Sequence, residues 1–191
     1  MEEILQQDKD TFLFLNNLGN EAFDQFWIMV SGTFIWVPFY VILLYLLYKR
    51  FGLSNVLYIA VFIALGVTIS DQLSGIFKSG IARLRPCHDP SLNHLMREVK
   101  CGGQFGFYSA HASNTFFLAS FLTFLLKNRY RKLPFILFFW ATAVAYSRIY
   151  LGVHYPLDIL FGATVGFLLG GLMSSLVWKI IKKRELLKIE N

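Results

Sequence analysis

The chain has 191 residues, 55% of them hydrophobic and only 16% charged, with a mean hydropathy of +0.51. Soluble domains carry about 25% charged residues, so a soluble enzyme is excluded and one integral membrane domain over residues 1–191 is expected. The net charge of +6 does not point to nucleic acid, because the cations cluster between apolar runs and at the C-terminal end, as membrane topology requires.

The N-terminal stretch MEEILQQDKD is acidic. It has no cationic region ahead of a short apolar core, so no cleavable signal peptide is expected. Leu5 to Leu18 mixes charges with TFLFLNNL and reads as an amphipathic helix lying at the interface. Crossing the hydrocarbon core takes about 20 apolar residues. Phe26 to Tyr48 offers such a run without a charge, with Pro38 inside it as a possible kink. Ser54 to Phe77 is the second run and carries one acid, Asp71. His111 to Leu126, Leu133 to Val153 and Leu157 to Trp178 complete the series, with Arg148 interrupting the fourth. The expected fold is all-α: a polytopic membrane helix bundle of five transmembrane helices plus the N-terminal interfacial helix, with six spans as the alternative.

Short-loop cations set orientation. Lys49 and Arg50 follow the first run, Lys127 to Lys132 join the third and fourth, and Lys179 to Lys188 follow the fifth. With five spans these segments share one side, the cytoplasm. The loop from Lys78 to Tyr108 and the joint from Arg148 to Pro156 then share the outer face. That loop carries Lys78, Arg83, Arg85, Arg97 and Lys100. Either the rule has an exception here or these cations bind an anion.

Three polar blocks meet on that face. KSGIARLRP places Lys78 and Arg85 about two helical turns apart, and Pro86 disfavours helix at Arg85. FYSAHAS places Ser109 and His111 at the start of a span, where unpaired backbone N–H groups favour an anion. SRIYLGVHYPLD offers the planar fork of Arg148 and a His154–Asp158 pair four residues apart. Asp158 there can accept the Nδ1–H of His154 and leave Nε2 free. Each block alone is also explained blandly: an interfacial cation pair, a tolerated polar residue, a helix-start acid. Together they suit phosphoryl transfer: cations for the charge, one histidine to attack, another to protonate the leaving oxygen. Two histidines and an aspartate could hold zinc, but three neighbouring cations oppose a dication. A serine hydrolase would need a G-x-S-x-G elbow, which the sequence lacks.

The chain resembles the type-2 phosphatidic acid phosphatase superfamily, membrane lipid phosphatases related to glucose-6-phosphatase and the vanadium haloperoxidases. That family shows Lys, six residues, Arg-Pro; then Pro-Ser-Gly-His; then Ser-Arg, five residues, His, three residues, Asp. Lys78 with Arg85-Pro86 and Ser147-Arg148 with His154 and Asp158 match the first and third patterns. The second departs: Tyr108 stands for Pro and Ala110 for Gly, while Ser109 and His111 remain. Ala110 keeps its amide but loses glycine's freedom at positive φ. The resemblance covers about Asp71 to Gly171. It implies that Lys78, Arg85, Arg148, Ser109, Ser147 and the Ala110 amide bind phosphate. It implies further that His154, oriented by Asp158, is the nucleophile and His111 the acid and base, with no metal or other cofactor.

The activity so implied is hydrolysis of a lipid phosphate or diphosphate through a phosphohistidine. The site would face the periplasm or exterior of a bacterial inner membrane, with a membrane lipid as partner. Polyprenyl diphosphate, phosphatidylglycerol phosphate, phosphatidic acid and lipid A are the candidate substrates. A phosphotransferase with a non-water acceptor and a non-enzymatic anion transporter are the alternatives. Asp71, seven residues before Lys78, is expected to support that lysine or a lipid headgroup. Cys87 and Cys101 can form a disulfide if their face is periplasmic. His88, Asp89 and His94 read as headgroup contacts or solvated polarity rather than a metal site. Gly162, Gly166 and Gly170 form a small-residue stripe suited to helix packing within the bundle.

Overall fold

The computed structural model describes residues 2–189. Helices α1 (Glu2–Asn17), α2 (Asp24–Ser31), α3 (Val37–Ile81), α4 (Ala110–Leu126), α5 (Leu133–Tyr150) and α6 (Pro156–Ile189) account for most of it. The extended pairing among the described residues is a single bridge between Leu84 and Phe105. Phe34–Ile81, Leu133–Tyr150 and Pro156–Arg184 are long and apolar enough to cross a membrane, and Ala110–Leu126 is a shorter apolar helix. Large apolar side chains face outward along these helices, among them Phe34, Leu57, Phe135, Phe139 and Leu168. Such a surface is stable against hydrocarbon and not against water.

Helix α3 is not one rod. Its 45 residues would extend about 67 Å if straight, at 1.5 Å per residue. Yet Tyr40, Leu43 and Leu47 line the same cavity as Ile63, Val67 and Asp71, so the chain doubles back. It does so at Gly52, whose φ of 71° and ψ of 165° lie outside the helical region and suit only glycine. Two of the expected runs are therefore the two arms of α3.

The start of the first run differs from the expectation. Helix α2 ends at Ser31, Gly32 is extended, and a 3₁₀ turn at Phe34–Trp36 leads into α3. Pro38 sits in the first turn of α3 rather than kinking a span. Its missing N–H costs nothing there, because first-turn amides have no helical acceptor.

Helix α4 lies at the centre and is buried along most of its length, as a helix apolar on all sides must be. Against it packs α6, whose Gly162, Gly166 and Gly170 face the carbonyls of Ser109 and Ser113 and the hydroxyl of Ser120. The small-residue stripe is thus used inside the bundle. A core of Leu43, Leu47, Ile59, Phe117, Phe121, Leu137, Trp140 and Val177 joins both arms of α3 to α4, α5 and α6. At one end Arg184 donates to Ser54 Oγ and Asn55 Oδ1, closing α6 onto the Gly52 turn. The opposite end carries the loop between α3 and α4, the joint between α5 and α6, and helix α1.

Helix α1 is bound, not merely adjacent. Its buried residues Asp8, Phe12 and Asn16 are four apart and form one face. Asn16 Nδ2 donates to the carbonyls of Arg97, Ile149 and Tyr150, and its Oδ1 accepts from Arg97 N at 2.7 Å. Phe12 meets Tyr155 edge-to-face at 5.4 Å.

Candidate active site

The joint between α5 and α6 places His154 and Asp158 at the base of the site. Pro156 opens α6, so Asp158 falls in its first turn, one turn from His154. Asp158 is fully buried and His154 nearly so. His154 Nδ1 lies 3.3 Å from Asp158 Oδ2, which also accepts from Tyr155 N at 3.0 Å. With a carboxylate at Nδ1, that nitrogen carries the proton and Nε2 keeps its lone pair. Burial pushes the His154 imidazole down to about 4. The Asp158 hydrogen bond and charge oppose that shift, and the Arg148 and Arg85 charges add to it.

The second oxygen of Asp158 is held by Arg83, one of the loop cations expected to bind an anion. Arg83 Nη1 donates to Asp158 Oδ1 at 3.0 Å, and Nη2 of the same side chain donates to Asp8 Oδ2 at 2.6 Å. Asp8 Oδ1 accepts from Leu157 N at 2.9 Å. The Arg83 guanidinium lies over the Tyr155 ring, 4.1 Å from its centre. Tyr155 OH donates to Asp89, which Lys9 of α1 also reaches at 2.8 Å. Asp89 therefore belongs to this scaffold rather than to headgroup contact.

Lys78 ends α3, where Ala82 takes a left-handed cap and returns its N–H to the Lys78 carbonyl. Arg85 follows in the loop. Its backbone N–H donates to Gln104 O and its Nε to Phe105 O at 3.1 Å. Gly106 permits this approach: a Cβ there would meet Asp158 Oδ2 at 3.1 Å and Arg85 Cγ at 3.2 Å. Arg148 is buried in the last turn of α5. One terminal nitrogen donates to Ser31 Oγ at the end of α2, and its Nε has no partner among the described residues. A buried guanidinium with a free donor suits an incoming anion. Lys78, Arg85 and Arg148 lie close enough for their charges to act on His111, and those of Arg85 and Arg148 also act on His154.

His111 stands in the first turn of α4 and faces a cavity of about 620 Å³. Ala110 lines the same cavity, and its amide is among the first-turn donors without a helical acceptor. Ser109 is the N-cap: its Oγ accepts from Ala112 N, and its own N–H donates to Asp158 O at 3.1 Å. Ser147 Oγ donates to Val144 O at 2.6 Å within α5. The Ser147 proton is thus committed to backbone, whereas Ser109, which only accepts there, keeps its own O–H to donate. Asp71 does not pair with Lys78; its Oδ1 accepts from Asn114 Nδ2 at 2.8 Å, and both residues line the cavity. Tyr108 is fully buried against Phe77, Phe107 and Phe161, and its carbonyl accepts from Ser74 Oγ.

Cys87 and Cys101 are joined by a disulfide across the loop that carries Arg85. Among the described residues, the group of metal-type side chains drawn together is Cys87, His88 and Cys101. Both sulfurs there are already bonded to each other, so neither can offer a thiolate. The cavity runs from Ser31, Thr33, Asp71, His111 and Asn114 at its polar end to Leu47 and Leu122 at its apolar end. The arrangement can bind a phosphate among three cations, attack it from Nε2 of His154, and receive an apolar body beyond His111.

The model of the PAP2 superfamily matches residues 55–182. A lipid A 4'-phosphatase of Bacteroides thetaiotaomicron is 37% identical over 182 residues, covering 93% of this chain and 80% of the relative. One of Porphyromonas gingivalis is 34% identical over 175 residues, covering 89% and 72%. The fold is similar to that of a transmembrane PAP2-type phosphatidylglycerolphosphate phosphatase from Bacillus subtilis (TM-score 0.72, 21% identity, 94% of this chain and 89% of the other). Aquifex aeolicus LpxE is also similar (TM-score 0.66, 23% identity, 86% and 92%). Fold and relatives together define a membrane lipid phosphatase. The chain belongs to the PAP2 superfamily.

Proposed function

We propose that the chain hydrolyses a lipid phosphomonoester through a covalent phosphohistidine, with the 4'-phosphate of lipid A as the first candidate substrate. The observation that carries this is the His154 imidazole, held at Nδ1 by buried Asp158 and lying within range of the Arg148 and Arg85 charges. The names of the two relatives that match most of this chain's length, described above, support the lipid A choice over phosphatidic acid and polyprenyl diphosphate.

Lys78, Arg85 and Arg148 hold the phosphoryl oxygens, with the Ala110 amide as a further donor. His154 Nε2 attacks phosphorus as the ester oxygen leaves, and His111 gives that oxygen its proton. His111, now neutral, takes a proton from water, which attacks the phosphohistidine and releases inorganic phosphate and neutral His154. Three cations at the phosphate position supply the charge stabilisation a metal would otherwise give and oppose a dication, so the reaction is metal-independent on this reading. Ser109 and Ser147 act as backbone caps that hold the flanking helices.

Five membrane crossings fit the doubled α3 with α4, α5 and α6, with α1 lying at the interface. Lys49, Arg50, the cations from Lys127 to Lys132 and those in the C-terminal part of α6, Lys179, Lys182, Lys183 and Arg184, flank the end opposite the site, which supports a site on the outer face of the bacterial inner membrane.

Phosphate release by the purified protein should be measured from lipid A, phosphatidylglycerol phosphate, phosphatidic acid and polyprenyl diphosphate, each with and without chelator. Chelator-resistant release, fastest from lipid A, is expected. Radiolabel trapped on His154 in an acid-labile, base-stable form identifies the intermediate. Transfer to an added alcohol in preference to water would instead favour a phosphotransferase.

A further inference from the structure

The leaving group enters the membrane through the cavity beside His111, and the first polar groups it meets there are unusual. His111 and Asn114 are three apart on α4 and line the same cavity. Asn114 Nδ2 is committed to Asp71 Oδ1 at 2.8 Å, while Asn114 Oδ1 is buried without a partner among the described residues. The Asp71 carboxylate also lines this cavity, within range of the Lys78 charge but not bonded to it. Next inward come Thr115, Leu118 and Leu122, so the wall turns apolar within about two turns of helix. Acceptor atoms therefore gather between the proton donor and the apolar end.

We infer that Asp71 and Asn114 read the leaving group and make this site selective for phosphomonoesters over diphosphates. The inference rests on the phosphatase reading proposed above. When a monoester is cleaved, His111 protonates an alkoxide and the departing group is a neutral alcohol. If that alcohol belongs to a sugar, neighbouring O–H and N–H groups can donate to Asp71 and to the free Asn114 oxygen. When a polyprenyl diphosphate is cleaved, the departing group is a monophosphate. Its charge would sit against the Asp71 carboxylate while the three cations hold the transferred phosphoryl. Placing like charges together in a cavity with an apolar wall rejects the wrong substrate without altering the chemistry at phosphorus.

The test compares Asp71→Asn and Asp71→Ala with the wild type on two substrates in the same micelles: lipid A and a polyprenyl diphosphate. The readout is the ratio of kcat/KM for diphosphate to that for monoester, which cancels any loss of folded protein. Removing the charge is expected to raise this ratio about tenfold or more, the monoester falling and the diphosphate rising. An unchanged ratio in both variants overturns the inference while leaving the phosphatase reading intact. A wild type that releases phosphate from neither substrate overturns both.

Discussion

Asp8 and Asp158, from opposite ends of the chain, share one guanidinium. Arg83 reaches Asp158 at 3.0 Å with one terminal nitrogen and Asp8 at 2.6 Å with the other. The carboxylate that meets His154 Nδ1 is thus tied through Arg83 to the N-terminal helix. Both acids are almost wholly buried, and buried carboxylates need counter-charge and donors.

Arg83→Gln leaves both acids without that counter-charge. Removing one partner from a buried pair costs about 3–5 kcal/mol; the 16% exposure of the Arg83 side chain places this variant toward the lower end. Asp8→Asn keeps an acceptor for Leu157 N and leaves Arg83 on Asp158, so it is expected to cost only about 1–2 kcal/mol. Thermal unfolding in detergent, read beside kcat, checks the order. Equal midpoints for wild type and Arg83→Gln would refute the bridge.

Asp158→Asn retains the shape of the site but no longer holds Nδ1–H against a negative charge. A fall in kcat of about 10²–10⁴-fold is expected, with a much smaller change in KM. His154→Ala should abolish turnover and phosphoenzyme formation while lipid binding survives. Turnover at the wild-type rate in His154→Ala would eliminate it as nucleophile.

On the proposed mechanism the attacking imidazole must be unprotonated. Burial, reinforced by Arg148 and Arg85, lowers His154 from 6.5 to about 4 against the pull of Asp158. The attacking form therefore dominates above pH 4 and is lost below it. The acid limb of kcat/KM is expected near pH 4 to 5. A pH profile under chemistry-limited turnover reads it. An acid limb at 6.5 or above would contradict this placement of His154.

The Cys87–Cys101 bond closes a loop of about 15 residues, worth about 3 kcal/mol on the chain-entropy account. Just outside that loop, the bond holds together the flanking segments in which Gln104 O and Phe105 O accept from Arg85. Replacing both cysteines with serine is expected to lower the unfolding midpoint and to raise KM more than it lowers kcat. Alkylation of native protein without reductant should label neither cysteine; labelling of both would show the bond to be absent.

Much of the architecture was legible because membrane helices are written locally. Each spanning helix must satisfy its own backbone, so length and hydropathy mark it wherever the rest of the chain lies. Hence α4, α5 and α6 fall close to the expected runs. The first run is different: Gly32 and Pro38 divide it, a break that composition alone does not separate from a tolerated kink. The catalytic joint was equally readable, because Ser147, Arg148, His154 and Asp158 sit within one short stretch whose spacing alone brings the histidine to the aspartate.

The sequence by itself determined an apolar helical bundle and the three polar blocks at its ends, because period, length and charge are properties of short windows. Only the tertiary structure decided the rest. It turned α3 back at Gly52. It gave Asp71 to Asn114 instead of Lys78 and brought Asp8 and Arg83 to Asp158. Those pairings join residues far apart in the chain. Which acid meets which base is set by helix packing and the cost of burying a charge alone, and neither leaves a mark in local sequence.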